Sequence, residues 1–136
     1  MDAATAPLST VVSPPAWKRW VGWALTGLPA AAMVASAGMK FIHPPDMVAM
    51  FTGKFGYQAT VLPVLGGLEL LCVILFLVSR TAVLGAVLMT GYLGGAVATH
   101  VRVADAFVAP LLLGIMAWGG LFFRDERVRN LLPLRK

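Results

Sequence analysis

The chain has 136 residues, enough for one compact domain; 59% are hydrophobic and only 12% charged, about half the roughly 25% usual in soluble proteins. That balance suits a chain that uses lipid as its solvent. The net charge of +5 is no nucleic-acid signal, because the basic residues sit at the ends of apolar segments, where the positive-inside rule puts them, and form no basic stripe.

Residues 1–16 are small, Ala/Ser/Thr/Pro-rich and almost uncharged, and read as a flexible cytoplasmic tail ahead of one membrane domain over 17–136. Pro14 and Pro15 keep a helix from starting earlier. The first span is expected over about 20–39, preceded by Lys18 and Arg19 and anchored at the interface by Trp17, Trp20 and Trp23. Ala35-Ser36-Ala37 after an apolar run also resembles a signal-peptide cleavage site, but the long stretch before the charges favours a retained span. Pro44-Pro45 ends this helix, and Pro45 or Asp46 is suited to open a short one. Met47, Met50, Phe51 and Phe55 then share a helical face, which predicts a short interfacial helix in the first outer loop, capping the bundle and weakened by Gly53 and Gly56.

The second span is expected over about 60–79, with Pro63 tolerated in its first turn and Glu69 as the one acid at membrane depth. Cys72 lies in the same apolar run. Alone in the chain, it excludes an intrachain disulfide, a CxxC pair or a thiolate metal cluster, and reads as a packed core thiol. Ser79-Arg80 makes a tight turn into a third span over about 81–99, followed by a fourth over about 106–123 with Pro110 near its start. Each is close to the about 20 residues that cross a bilayer. Arg124-Asp125-Glu126-Arg127-Val128-Arg129 begins a charged helical tail. The expected fold is therefore all-α, a polytopic four-transmembrane-helix bundle. Lys18, Arg19, Arg80, Arg124, Arg127, Arg129, Arg135 and Lys136 share one side, against Lys40, Lys54 and Arg102 on the other. Both termini are expected to be cytoplasmic.

The stretch Thr90–Arg102, TGYLGGAVATHVR, organises this reading. Gly91 and Gly95 form a GxxxG pair, the small-residue pattern that lets helices pack closely in lipid. They therefore nominate a face for a neighbouring span, a partner membrane protein or a second copy of the chain. The polar end of the stretch nominates a site. Glu69 is its sharpest signal, since an ionisable group in hydrocarbon is costly and is a functional candidate by default; it is expected to be protonated unless a cation is close. The alternative is a structural acid that only fixes helix packing. His100 is a candidate base, and Tyr92 a partner in proton transfer. Lys40 by itself reads as a snorkelling side chain. Arg102, on the side where positive charge is disfavoured, calls for a counter-ion, for which Asp105 is nearest in sequence.

Depth limits how these residues combine. Glu69 lies about 9 Å below the boundary if span two enters at Pro63, and about 14 Å if it enters at Thr60. A funnel open to the outside, with Glu69 at its floor and Tyr92 or Thr99 on its wall, fits better than a direct Glu69–His100 contact. His100 and Arg102 project about 160° apart on a helix, so only one of them faces the bundle. No metal spacing, phosphate loop or nucleophile triad is present, and two histidines, one in a loop, make a poor haem site.

With these residues assembled, the chain from about Lys40 to Pro133 resembles the DoxX-like family of small four-helix bacterial membrane proteins. The likeness is carried by Gly66-Gly67-Leu68-Glu69, by Arg80-Thr81-Ala82-Val83-Leu84-Gly85, and by the run from Gly91 to Arg102. Trp118 and Arg124-Asp125-Glu126-Arg127 add to it. The resemblance implies a four-helix bundle in the inner membrane. The broader group is associated with membrane redox systems, including small subunits of thiosulfate:quinone oxidoreductase, with oxidative-stress complexes and with membrane-protein assembly. Glu69, His100 and Arg102 fall on the family's polar positions, and Lys40 less closely. No covalently bound cofactor is expected; a redox role implies a bound quinone or a partner subunit. Three functions follow: an accessory redox subunit binding a lipophilic molecule near Glu69 through Lys40, Thr99 and Arg102; a stand-alone enzyme using Glu69, His100 and Tyr92 for isomerisation or epoxide opening; or a scaffold without a small-molecule site. The first is favoured on the resemblance.

Overall fold

The structure, a computed structural model, describes residues 15–131. Residues 1–14 of the expected N-terminal tail and the last basic residues, Arg135 and Lys136, lie outside the described residues. Those described are all helical in their regular structure: α1 (Ala16–Ile42), α2 (Pro45–Ala49), α3 (Leu62–Leu77), α4 (Ala82–Arg102), α5 (Val108–Arg124) and α6 (Glu126–Leu131). A π-helical turn, Met50–Lys54, continues α2, and a 3-10 turn, Ala59–Val61, leads into α3.

The four long helices close a ring in which α1 packs on α3 and α5, and α4 packs on α3 and α5. Ala16–Ile42, Ala59–Leu77 and Ala82–Arg102 are long and apolar enough to cross a membrane, and α5 is a shorter apolar helix of 17 residues. Their outward faces carry Leu68, Leu71, Ile74, Leu84, Val87, Leu112 and Ile115 exposed. Met33, Val73, Phe76, Met89 and Leu121 fill the interior. An apolar exterior around an apolar core is what lipid as solvent permits.

Local chemistry sets the ends. The first helix runs three residues further than the expected boundary at 39, to Ile42, where His43 adopts the left-handed conformation at φ 56° and its N–H bonds the Met39 carbonyl at 3.1 Å. This extension puts Lys40 inside the last turn of α1. Pro45 opens α2 at a position that needs no N–H donor. Gly56, at φ 73°, turns the chain back toward α3 in a conformation that L side chains avoid. Asp125 breaks the chain between α5 and α6 and accepts the Arg127 N–H at 2.9 Å, and Arg124 donates to the Phe76 carbonyl at 2.9 Å, satisfying the end of α3.

The glycines that bring helices together are not those expected. A Cβ on Gly91, Gly94 or Gly95 would meet nothing within 4 Å. Close approach occurs instead at Gly85, where a Cβ would overlap the Phe76 backbone just across the α3–α4 turn, and at Gly120, where it would come within 2.9 Å of the Thr26 nitrogen. Gly66 does the same for α3 and α1, with Lys40 Cβ and the Ala37 carbonyl both 3.3 Å from the added atom. The GxxxG spacing marked open space rather than contact.

Gly85→Ala should therefore lower thermal stability in detergent by about 1–3 kcal/mol, the cost of overpacking. Gly91→Ala should be neutral or raise it by up to about 1 kcal/mol, from helix propensity alone. Equal effects at both positions, measured by unfolding monitored through circular dichroism, would contradict this assignment.

Candidate functional site

Close packing of α1 on α3 at Gly66 sets the site's geometry. Three residues after Gly66, almost one helical turn, Glu69 comes to face Lys40. Lys40 Nζ donates to Glu69 Oε2 at 2.7 Å and to Ser36 Oγ, one turn back on α1, at 2.6 Å. The two residues are 5% and 3% exposed, so this is a buried ion pair. Lys40 does not snorkel, and the close cation that the sequence left open beside Glu69 is present. The ammonium also lies 5.9 Å from the Phe51 ring centroid, within cation–π range.

Tyr92 on α4 donates to the same carboxylate oxygen at 3.2 Å. Oε2 thus takes both contacts. Oε1 accepts no hydrogen bond among the described residues, yet no buried polar atom there is left occluded and unpartnered. Oε1 therefore opens onto the cavity that Glu69 lines.

That cavity has a volume of about 470 Å³ and lies between the four long helices and the α2 segment. Met33, Met47, Met50, Leu65 and Leu113 give it apolar walls, and Ser36, Lys40, Glu69, Tyr57, Tyr92, Thr99 and His100 bring polar groups into it. Gly91 and Gly95 also line it, so the space left by their missing side chains belongs to the cavity. The size and the mixture are those of a small-molecule site.

The α2 segment lies over one end of the cavity and is tied to α4. Thr99 Oγ1 donates to the Gly95 carbonyl at 2.9 Å, which leaves Tyr57 OH as the donor in its 2.9 Å bond to Thr99. His100 Nδ1 lies 2.8 Å from the Ala96 carbonyl, and since a carbonyl can only accept, the proton sits on Nδ1 and Nε2 is left as the free nitrogen. The Phe55 ring packs on the imidazole at 5.0 Å between centroids. Arg102 donates to the Phe55 carbonyl and takes no part in the cavity wall. The expected Arg102–Asp105 pair is not formed: Asp105 pairs with Lys54 at 2.8 Å, because the turn after α4 swings its carboxylate toward the α2 segment. The hydrogen bond from Lys54 holds the Asp105 carboxyl below its ordinary value of 3.8.

Of the residues nominated from sequence, Lys40, Glu69 and Tyr92 are in direct contact, Thr99 and His100 line the same cavity without bonding Glu69, and Arg102 braces the cap. Sequence reasoning missed Ser36, although its i−4 spacing from Lys40 was readable, and missed Tyr57 and Phe55. No spacing rule links those two to residues more than 40 positions away. Among the described residues no three His, Cys, Asp or Glu side chains converge in a way that could hold a metal ion.

The model of the DoxX-like family matches residues 24–120, and the chain belongs to that family. The matched region contains every residue that lines the cavity. No curated protein and no solved structure matches the chain.

Two outcomes test this geometry. Lys40→Met strands the carboxylate and should destabilise the protein by about 3–5 kcal/mol, whereas Lys40→Met with Glu69→Leu should recover most of the loss. Additive losses in a thermal-unfolding double-mutant cycle would mean that the two side chains act independently. The second concerns the cap. Because the Asp105 carboxyl is depressed on folding, the contact it makes contributes stability above its unfolded value and loses it as pH falls through the lower folded one. The hydrogen-exchange protection factor over residues 45–57, corrected for the intrinsic pH dependence of amide exchange, should stay unchanged from neutral pH to about pH 5 and fall only below the ordinary aspartate range. Asp105→Asn should lower protection near neutral pH and converge with wild type once the wild-type carboxyl is protonated.

Proposed function

We propose that this DoxX-like membrane protein crosses the bacterial cytoplasmic membrane four times and binds a lipophilic small molecule with a quinone-like head between its helices, as an accessory subunit of a membrane redox system. One observation carries the reading: an apolar-walled cavity of about 470 Å³ whose polar groups centre on a buried Lys40–Glu69–Tyr92 cluster. A quinone-like head fits that cluster because Lys40 uses two of its three N–H donors within the protein, leaving one for a carbonyl oxygen. Oε1 of Glu69 accepts from a hydroxyl when the same head is reduced.

The topology is supported by charge. Lys18, Arg19, Arg80, Arg124, Arg127 and Arg129 lie at the end of the bundle where α1 starts and α3 and α5 finish, and the positive-inside rule favours the cytoplasm for that end. The α2 segment then caps the cavity at the opposite interface. A redox role implies a membrane-protein partner. Gly91 and Gly95 line the ligand cavity, so a partner helix seated on them would compete with the ligand.

A second reading is favoured by Glu69 Oε1, which faces the cavity with no partner among the described residues. A stand-alone enzyme would use it as a general base toward a lipophilic substrate, with Tyr92 or His100 as proton partner. It predicts turnover without any electron carrier.

Native mass spectrometry of the detergent-purified protein, wild type beside Glu69→Gln, tests the main reading. The expected result is a non-phospholipid mass on the wild type, identified as a quinone by extraction, and its loss from the variant. Identical spectra without a retained small molecule would overturn it and leave a scaffold.

A further inference from the structure

A second void lies against the first. It is a groove of about 420 Å³ between α4 and α5, and Leu93 and Pro110 line both spaces. Leu93 is 5% exposed, and a Cβ on Gly114 of the facing helix would lie 3.8 Å from its Cδ1. One leucine side chain and the Pro110 ring therefore form the partition between the two spaces.

The chemistry of the two spaces differs. The groove is walled by Leu93, Gly94, Pro110, Gly114, Ile115 and Trp118, among other side chains. Its polar atoms are already satisfied: Trp118 Nε1 donates to Thr90 Oγ1 at 2.8 Å, and Thr90 Oγ1 donates to the Ala86 carbonyl at 2.8 Å. It offers hydrocarbon and nothing else. Leu111 and Ile115 on its rim are exposed on the outward face of the bundle, so the groove opens to the bilayer. A Cβ on Gly94 would meet nothing within 4 Å, so no side chain of the chain fills that part of the groove.

We infer that the ligand of the cavity is a tailed amphiphile, with its head at Lys40–Glu69–Tyr92 and its hydrocarbon chain in the α4–α5 groove, passing beside Leu93. The inference rests on the small-molecule reading of the cavity and adds the class of molecule and its direction of entry, sideways from the bilayer. A chain attached to the head has no need to cross the α2 cap. Burying successive methylenes in the groove gives it affinity that the head alone lacks.

The test uses equilibrium binding to the full-length protein in detergent, with two probes: a methoxy-substituted benzoquinone without a chain, and the same ring carrying a decyl chain. Micelle partition cancels when wild type and variants are compared. Wild type should bind the tailed probe at least about tenfold more tightly than the head alone. Gly114→Leu, which fills the groove, should remove that advantage and leave binding of the chainless probe unchanged. Gly94→Leu adds a side chain where space is open and should do the same, which guards against a folding defect in the first variant. Binding of both probes with a tail advantage that survives both variants would overturn the groove assignment while preserving the cavity, and would assign the groove to bulk lipid. Equal affinity of the two probes for wild type, once each is corrected for its own micelle partition, would also overturn it. Binding of neither probe would overturn both the groove and the reading of the cavity on which it depends.

Discussion

A buried charge pair between the first and third helices is the constraint from which the rest of the arrangement follows. Removing an ammonium and a carboxylate from water costs several kcal/mol each, and the attraction offsets that cost only when geometry is good and the remaining donors and acceptors are used. Here Ser36 takes a second lysine N–H, Tyr92 adds a donor to the carboxylate, and the Phe51 ring lies within reach of the ammonium. Lys40 also sits in the last turn of α1, where a cation is favoured by the helix dipole. The pair fixes the register of α1 against α3, because a slip by one residue on either helix would leave a charge in hydrocarbon. Gly66 makes the approach possible, and Gly85 and Gly120 let α4 and α5 close the ring behind it.

The same pair explains why a cavity persists in a bundle this small. A well-packed interior would fill it with apolar side chains, but that would bury Glu69 Oε1 without a partner, at a cost comparable to a lost charged hydrogen bond. Glycine at 91 and 95 instead keeps α4 from crowding the carboxylate. The outer boundary is then supplied by a segment too short to pack on its own. The residues from Pro45 to Tyr57 are tied to α4 and the loop after it through the Phe55 ring on His100, the Phe55 carbonyl on Arg102, Tyr57 on Thr99 and Lys54 on Asp105. Arg102 thus braces the cap by donating to the Phe55 carbonyl.

The helices and their order were legible in the sequence because apolar length, Pro placement and turn residues all point the same way. Pro44-Pro45, Pro63, Ser79-Arg80 and Asp125 mark real ends to within a few residues. Family membership was legible in the run from Gly91 to Arg102, since the family model covers that run. The site was legible as a set of residues and not as a set of contacts. Lys40 lies outside the expected first span, so it read as an interfacial lysine; only the continuation of α1 to Ile42 brings it within reach of Glu69. The GxxxG spacing marked no contact within the chain, for a related reason. Spacing reports that a backbone is bare on one face, but whether a helix or empty space lies opposite is decided by tertiary packing. Arg102 and Asp105 are neighbours in sequence, yet the turn after α4 sends one to a carbonyl and the other to Lys54.

The Lys40–Glu69 contact also separates the chemistries open to the site. A solitary carboxyl in hydrocarbon would be neutral and suited to give a proton to a leaving oxygen, as epoxide opening by general acid catalysis requires. Paired with Lys40 at 2.7 Å, it is an acceptor, and the proton donors around it are the ammonium and the Tyr92 hydroxyl. Such a cluster has a donor for a carbonyl oxygen on Lys40 and an acceptor for a hydroxyl on Oε1. A ligand whose head alternates between carbonyl and hydroxyl therefore meets a partner in either form.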